Sequence, residues 1–303
     1  MTRAVAVAKS SDQEKTAERL LKSSAGKFYD PEVDIDWDAP LLADKVYQPE
    51  HRISLYGTPL WETMTPEQRI ELGKHEIASI ASIGIWFEVL LMQMLLKDVY
   101  SGDPTSARVQ FSLTEIADEC RHSTMFAKFI KRVGVPAYGP RRDTKYLARF
   151  LPLIARGPAR YAAILVAEEI LDRMQRDNMA DAQIQPLIRM VNRIHVLEEA
   201  RHVTFAREEI VRGMAGCGPI RRAYYRFSTA VVAYAIADEL ISPQAYRAVG
   251  LNPRQARRQA RENPHFKRTM GYWGERILGF LDEAGLVGGL GKRIWRRSAL
   301  LGK

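Results

Sequence analysis

Apolar residues recur along most of this 303-residue chain at the three- and four-residue spacing of a helix face, and no segment convincingly alternates apolar and polar residues as a half-buried strand does. The clearest helix start is Thr65-Pro66-Glu67, where a capping threonine precedes a proline and an acid. The pattern predicts helices over residues 66–100, 105–133, 144–180 with a break near Gly157, 182–214, 219–240, a short stretch after Pro253, and 266–284. The sequence therefore predicts an all-α fold.

The two ends of the chain carry weaker patterns. Residues 1–60 contain several prolines among scattered charges, and after a short helix near their start they predict an irregular strap pinned to the helices by Tyr29 and Trp37. Residues 286–303 are rich in lysine and arginine and predict a loose basic tail. The main helical domain is therefore expected over residues 61–285.

A nearly continuous apolar stretch from Ile77 to Leu96 is long enough to cross a membrane. Glu88 lies near its middle, and an acid at the centre of a bilayer costs about 2.5–3.5 kcal/mol. A helix that is apolar on all sides and carries one buried acid also fits the centre of a helical bundle. We therefore expect no membrane span.

The second and fourth long predicted helices carry the same metal-binding motif, Glu-x-x-His. Glu119 and His122 form the first copy, and Glu199 and His202 form the second. Residues three apart project from one side of a helix, and His195, four residues before Glu199, shares that side. Bundles that bind two metal ions combine Glu-x-x-His from two helices with a single glutamate from each of two others.

Two more acids complete this pattern. Glu88 precedes Glu119 by 31 residues, and Glu168 precedes Glu199 by the same 31. Both lie in apolar surroundings, where a carboxylate needs a charged partner or a metal ion. The equal offsets indicate a duplicated helical hairpin with a repeat of 80 residues. Carboxylates and imidazoles without thiolates suit iron or manganese.

The repeat is not perfect. The first-hairpin counterpart of His195 is Glu115, so the two halves of the predicted metal centre are not equivalent.

An acid precedes each motif glutamate, and an arginine precedes each motif histidine. We expect Asp118 and Glu198 each to accept a hydrogen bond from the metal-binding histidine of the other hairpin. Arg121 and Arg201 would then balance the charge of these buried acids. Ion pairing that serves the fold alone is the alternative explanation for these four residues.

The segment His-Val-Leu-Glu-Glu-Ala-Arg-His-Val-Thr-Phe-Ala-Arg at 195–207 resembles the signature of the di-iron N-oxygenases, typified by p-aminobenzoate N-oxygenase. The resemblance covers residues 88–202 well and the flanks loosely. It implies a ferritin-like helical bundle with additional flanking helices, and the histidine four residues before the second motif distinguishes this family from other ferritin-like proteins. The metal ligands that it implies are Glu88, Glu119, His122, Glu168, His195, Glu199 and His202.

The resemblance also implies an activity. Two iron ions would bind O2, form a peroxo-diferric intermediate and transfer oxygen to the nitrogen of an arylamine or related amine, with manganese as the other metal that the ligands suit. The metals would carry the chemistry, and no catalytic residue beyond their ligands is expected. Residues 61–285 would then be a di-iron domain.

The helix that carries Glu88 has no lysine or arginine between Lys74 and Lys97 to pair with a substrate carboxylate. We therefore expect an apolar or neutral substrate. The predicted substrate pocket is lined by Ile85, Trp86, Met92, Tyr161 and Met174.

Other functions are also open at this point. An acyl desaturase or hydroxylase is built on a di-iron bundle too, and a ferritin-like protein can bind metals without oxygenase activity. A ribonucleotide reductase-like radical subunit is disfavoured because no tyrosine follows any of the four acids by one helical turn.

The formal net charge of +9 suggests an acidic partner. No flavin or nicotinamide motif is present, so an external electron donor such as an acidic ferredoxin is expected. No nucleic-acid motif accompanies the basic residues. The two cysteines, Cys120 and Cys217, do not form a disulfide framework, which favours a cytoplasmic location. We also expect a homodimer.

Overall fold

The computed structural model describes the backbone of residues 3–302 and the side chains of residues 13–302. The all-α prediction is confirmed, because these residues form helices and loops with a single isolated bridge between Val46 and Ile184. A short 3₁₀ helix spans Glu50–Arg52. The α-helices are α1 (Arg3–Gly26), α2 (Pro31–Asp34), α3 (Pro59–Glu62), α4 (Pro66–Ser101), α5 (Ala107–Val133), α6 (Arg142–Ala148), α7 (Leu151–Ile154), α8 (Pro158–Ala180), α9 (Pro186–Met214), α10 (Pro219–Glu239), α11 (Pro243–Ala248), α12 (Pro253–Glu262), α13 (Pro264–Glu283) and α14 (Gly291–Arg297).

Four long helices form the centre of a ferritin-like bundle. They are arranged as two hairpins, α4 with α5 and α8 with α9, and the hairpins meet where α4 contacts α8 and α5 contacts α9. The predicted start of α4 is confirmed, since the side chains of Thr65 and Gln68 cap each other's backbone N–H groups. α5 ends at Gly134, whose φ of 74° is readily adopted only by glycine.

Among the described residues, α4 is the one helix long and apolar enough to cross a membrane. Of its most apolar window, 56% is buried inside the protein. Burial at the centre of the bundle accounts for this composition without a bilayer, and a single such helix is weak evidence for a span. The absence of a membrane span stays a prediction.

The first part of the N-terminal segment is more helical than predicted for residues 1–60, where only a short helix was expected near the start. Residues 3–26 form the regular helix α1, which lies against α5 and α9. The prolines that indicated irregular structure begin only at Pro31, and they do not interrupt α1. Ala17 and Leu20 are buried, so packing against the bundle supplies the stability that this polar helix lacks alone.

The rest of this segment holds the predicted contacts to the bundle. The backbone N–H of Tyr29 lies 3.4 Å from Oε1 of Glu198 on α9. The backbone carbonyl of Trp37 accepts a hydrogen bond of 2.8 Å from Nε of Arg132 on α5. The segment therefore covers one side of the α5–α9 interface.

The C-terminal segment is also more ordered than the loose tail predicted for residues 286–303. Its helix α14 packs against α10 and buries Trp295 fully, and Leu300 is buried beyond it. Because arginines surround Trp295 in the sequence, the segment was predicted to be a polar tail and its apolar face was missed. Residues 1, 2 and 303 lie outside the described residues. The domain boundaries at 61 and 285 stay a prediction.

Candidate metal centre

The seven predicted metal ligands come together in one buried centre between the two hairpins. α4 and α8 each contribute one glutamate, α5 contributes a glutamate and a histidine, and α9 contributes a glutamate and two histidines. None of the seven is more than 4% exposed. The residues are Glu88, Glu119, His122, Glu168, His195, Glu199 and His202. Burying so many ionisable groups is costly unless cations balance them.

Ligand atoms in this centre lie close enough to share metal ions. In each of three groups, one atom from every side chain lies within 4.8 Å of the others. Two ligands on one ion at about 2.1 Å each are separated by at most about 4 Å, so small side-chain movements suffice. The groups are Glu88 with His122 and His195, Glu119 with His122 and Glu199, and Glu168 with His195 and Glu199.

Each motif histidine lies beside an acid of the other hairpin. His122 Nε2 is 2.9 Å from Oε2 of Glu198, and His202 Nε2 is 3.1 Å from Oδ2 of Asp118. The Nδ1 atoms face the centre instead, and that of His122 is 3.1 Å from Oε1 of Glu199. A proton on Nε2 leaves the Nδ1 lone pair free for a metal. Each histidine therefore lies beside the acid of the other hairpin that the sequence predicts for it.

Two arginines lie against these acids. Arg121 donates a hydrogen bond to Asp118, and Nη2 of Arg201 lies 3.5 Å from Oδ2 of the same carboxylate. The Arg201 guanidinium is also 3.7 Å from Oε1 of Glu198. The two arginines thus balance the charge of Asp118 and Glu198. The carboxylates of the predicted metal ligands remain available for cations.

His195 is oriented by Gln175, which the sequence analysis missed. Gln175 Oε1 lies 2.8 Å from His195 Nδ1, so the Nε2 atom points towards Glu88 and Glu199, at 3.6 and 3.7 Å. Gln175 follows Glu168 by seven residues, about two helical turns, and therefore lies on the same side of α8. This spacing could have identified it.

Three more side chains enclose the centre. Ser123 donates a hydrogen bond to Glu88. The ring of Phe126 lies 4.9 Å from that of His195, and the ring of Phe111 lies 6.4 Å from that of His202. The aromatic rings place apolar surface beside two of the histidines, and surroundings of low polarity strengthen electrostatic interactions in the centre.

The pKa values in the centre shift as expected for anionic side chains that need positive charge. Burial raises the pKa of Glu168, and the charges of Glu199 and Glu119 raise it further. Burial lowers the pKa of His202, but the charge of Glu199 and hydrogen bonds to carboxylates outweigh burial and raise it well above its usual range. A raised pKa means that the side chain holds its proton more strongly in the folded protein. A bound metal ion can supply positive charge in place of that proton.

The environment of one oxygen atom of Glu119 shows that the residues fit such ions. Glu119 Oε1 is fully buried and makes no hydrogen bond, although it lies 3.1 Å from His202 Nδ1. A buried polar atom without a hydrogen-bond partner costs about 1–3 kcal/mol, a loss that coordination removes. The surrounding carboxylates and imidazoles are ligands that iron and manganese accept. The residues therefore fit a two-metal centre.

One of the five predicted substrate-pocket residues lines the cavity beside the metal centre. Met174 lines a small cavity between α4, α5, α8 and α9, whereas the Tyr161 hydroxyl accepts a hydrogen bond from Arg108. The sequence gives spacing along a helix but not which side the neighbouring helices cover. The predicted pocket residues that lie outside this cavity are Ile85, Trp86, Met92 and Tyr161.

The cavity that Met174 lines adjoins the metal centre. Two of its lining residues, Phe126 and Gln175, also contact His195. Its volume is about 20 Å³, room for about one water molecule. The lining is apolar apart from Gln175 and Asn192, and the Nδ2 of Asn192 has no hydrogen-bond partner.

Comparisons with known proteins agree with this geometry. Three uncharacterized mycobacterial proteins, Mb0909 of Mycobacterium bovis and MT0908 and Rv0885 of Mycobacterium tuberculosis, are each 25% identical to this chain over 296 residues. The alignments cover 94% of this chain and 86% of each relative. The family model described as p-aminobenzoate N-oxygenase AurF matches residues 10–285, and this family is one of di-iron enzymes. The chain belongs to the p-aminobenzoate N-oxygenase AurF family.

Proposed function

We propose that this chain is a di-iron oxygenase that uses O2 to oxygenate the nitrogen of a neutral arylamine or a related amine. The observation that carries the proposal is the convergence of carboxylates and imidazoles from four helices on one buried centre. Membership of the family supports the class of reaction.

In this proposal two iron ions are held by Glu88, Glu119, His122, Glu168, His195, Glu199 and His202. When bound, the irons supply the electrons that reduce O2 and activate its oxygen for transfer. Asp118 and Glu198 hold the Nε2 protons of the histidines opposite them, and Gln175 holds the orientation of His195. Iron is proposed over manganese because the family is a di-iron family.

We propose the cavity beside His195 as the point at which the amine approaches the metals. None of its lining residues is charged, so a carboxylate in it would lack a cation. The unpaired amide of Asn192 can donate a hydrogen bond to one polar group of the substrate. The cavity holds about one water molecule, so an aromatic amine enters only when lining side chains move.

A single-turnover experiment tests this function. The iron-loaded, reduced protein is mixed with ¹⁸O₂ and, in parallel, with aniline, p-aminobenzoate or a fatty acyl thioester. We expect ¹⁸O in an oxidised aniline product and less product from the carboxylate. Oxidation of the acyl chain alone would support the desaturase or hydroxylase alternative. Iron oxidation without any organic product would support a ferritin-like metal-binding protein.

We further propose that a ferredoxin-like donor docks where two basic segments meet. Lys267 and Arg268 of α13 and Arg296 and Arg297 of α14 line one groove of about 1110 Å³. Two acids, Asp238 and Glu262, also line it, and Asp238 is already paired with arginines. The exposed basic side chains complement an acidic partner and increase its association rate.

The remaining proposals concern the state of the protein in the cell. Cys120 and Cys217 are both free thiols, in keeping with a reducing cytoplasm. We also propose a homodimer without a nucleic-acid partner or a membrane span. Size-exclusion chromatography with light scattering tests the dimer, which a monomer at micromolar concentration would contradict.

A further inference from the structure

Glu115 is a buried acid of the metal centre that the set of seven ligands does not include. It lies on α5, one helical turn before Glu119, and is 1% exposed. Its Oε2 atom has no hydrogen-bond partner. An isolated carboxylate in such a position needs a cation or a proton.

The side chain of Glu115 is turned towards the metal-facing atoms. One of its carboxylate oxygens lies within 4.8 Å of ligand atoms of both Glu119 and His202. His202 uses its Nε2 atom for Asp118, so its other nitrogen is the one available to a metal. Glu115, Glu119 and His202 can therefore share one ion.

The internal repeat gives a second, independent reason. The 80-residue offset relates Glu115 of the first hairpin to His195 of the second. His195 lies against the motif histidine of the first hairpin, with its ring 4.7 Å from that of His122. Glu115 groups with His202, the motif histidine of the second hairpin. The two residues thus occupy equivalent places in the repeat, each beside the motif histidine of the other hairpin.

We propose that Glu115 is an eighth metal ligand, which binds the ion next to His202 as His195 binds the ion next to His122. This inference rests on the proposed two-metal function. With Glu115 bound, the two ions would differ in their ligands. One would have an additional imidazole and the other an additional carboxylate. Oxygen ligands favour harder ions, so the ion beside Glu115 retains a higher charge more easily.

Anaerobic titration of the metal-free protein with Co²⁺, followed by calorimetry and visible absorption, tests this assignment. We expect two equivalents to bind to the wild type. In Glu115→Gln one site keeps its affinity and the other weakens at least tenfold, with a changed spectrum. Glu115→His, which supplies an imidazole instead, regains two tight sites with a spectrum unlike that of the wild type. The control is Glu76→Gln, a buried acid of α4 held by Ser54 and Gln48, and it binds as the wild type does.

Two unchanged sites in Glu115→Gln would overturn the assignment and leave the two-metal centre intact. Fewer than two sites in the wild type would overturn the proposed function as well. Far-UV circular dichroism verifies folding of each variant. If Glu115→Gln does not fold, Glu115→His decides the matter, since an unchanged cobalt spectrum there rules out coordination by this position.

Discussion

His122 Nε2 on one hairpin lies 2.9 Å from Glu198 Oε2 on the other, although the residues are 76 positions apart. This contact fixes which nitrogen of the imidazole faces the metals, and it joins the two hairpins at the centre. Each copy of the motif therefore depends on the other copy for its geometry. Several consequences can be measured.

Substitution of Glu198, the acid beside His122, should weaken metal binding. In Glu198→Gln we expect the affinity for Fe²⁺ to fall about 10- to 100-fold, because a neutral amide accepts the histidine proton more weakly and removes one of the two carboxylates beside Arg201. Anaerobic titration with Fe²⁺ measures the change. Glu208→Gln on the outer part of α9 is the control and keeps the wild-type affinity. Equal affinity in Glu198→Gln would show that its contact with His122 serves only the fold.

Glu76 should make stability depend on pH. Burial raises the pKa of this carboxyl to about 7 despite hydrogen bonds from Ser54 and Gln48. The folded state then holds a proton that the unfolded state releases near pH 4.5, so this group's contribution is complete below pH 4.5 and is lost as the pH rises through 7. The full contribution is about 3 kcal/mol.

Urea unfolding of the wild type and Glu76→Gln at equal metal content, from pH 5 to pH 8, measures this contribution. The variant lacks the titrating group. Its stability relative to the wild type should therefore increase with pH, by up to about 3 kcal/mol. Parallel curves for the two proteins would exclude a protonated Glu76 in the folded state.

Gly84 offers a way to close the cavity beside His195. A Cβ atom at this position would lie 3.6 Å from Phe126, an ordinary contact, so Gly84→Ala should fold well and gain up to about 1 kcal/mol from helix propensity. The side chain of Gly84→Leu is larger than the cavity of about 20 Å³, so it should take the space that the amine would otherwise open by displacing lining side chains, and raise the KM for the amine about tenfold or more. Steady-state kinetics at matched iron content compares the two. Equal KM values would place substrate entry elsewhere.

The basic groove should control electron delivery but not the chemistry. We expect Lys267→Glu with Arg297→Glu to lower the ferredoxin-supported rate about tenfold at low ionic strength, because charge complementarity mainly affects association. Turnover with dithionite should be unchanged. Lys22→Glu, an exposed change on α1, is the control. A wild-type rate that is independent of salt, or a wild-type rate in the Lys267→Glu/Arg297→Glu variant, contradicts docking in this groove.

Much of the metal centre could be predicted because its residues recur at regular spacing along the chain. Glu-x-x-His lies on one side of a helix whatever surrounds it, and the equal spacing of Glu88 and Glu168 from their motifs identified the other helices. The start of α4 at Thr65 was also predictable, since capping depends on adjacent residues. These features are all local or repeat at a fixed interval.

The remaining features depend on packing that no local pattern contains. α1 is longer than the short helix that was predicted, because it packs against α5 and α9, and Trp295 is buried only because α14 meets α10. The spacing of Gln175 from Glu168 places it on the ligand side of α8, but its contact with His195 depends on how α8 packs against α9. Of the predicted pocket residues, Met174 lines the cavity beside His195 and the other four lie outside it, because the side of α4 that adjoins this cavity is set by its neighbours.

The most direct test of the two-metal centre is iron analysis combined with ⁵⁷Fe Mössbauer spectroscopy of the protein loaded under anaerobic conditions and then exposed to O2. The account predicts two irons per chain that become an antiferromagnetically coupled diferric pair. Fewer than two irons, or two ferric ions without coupling, would contradict it.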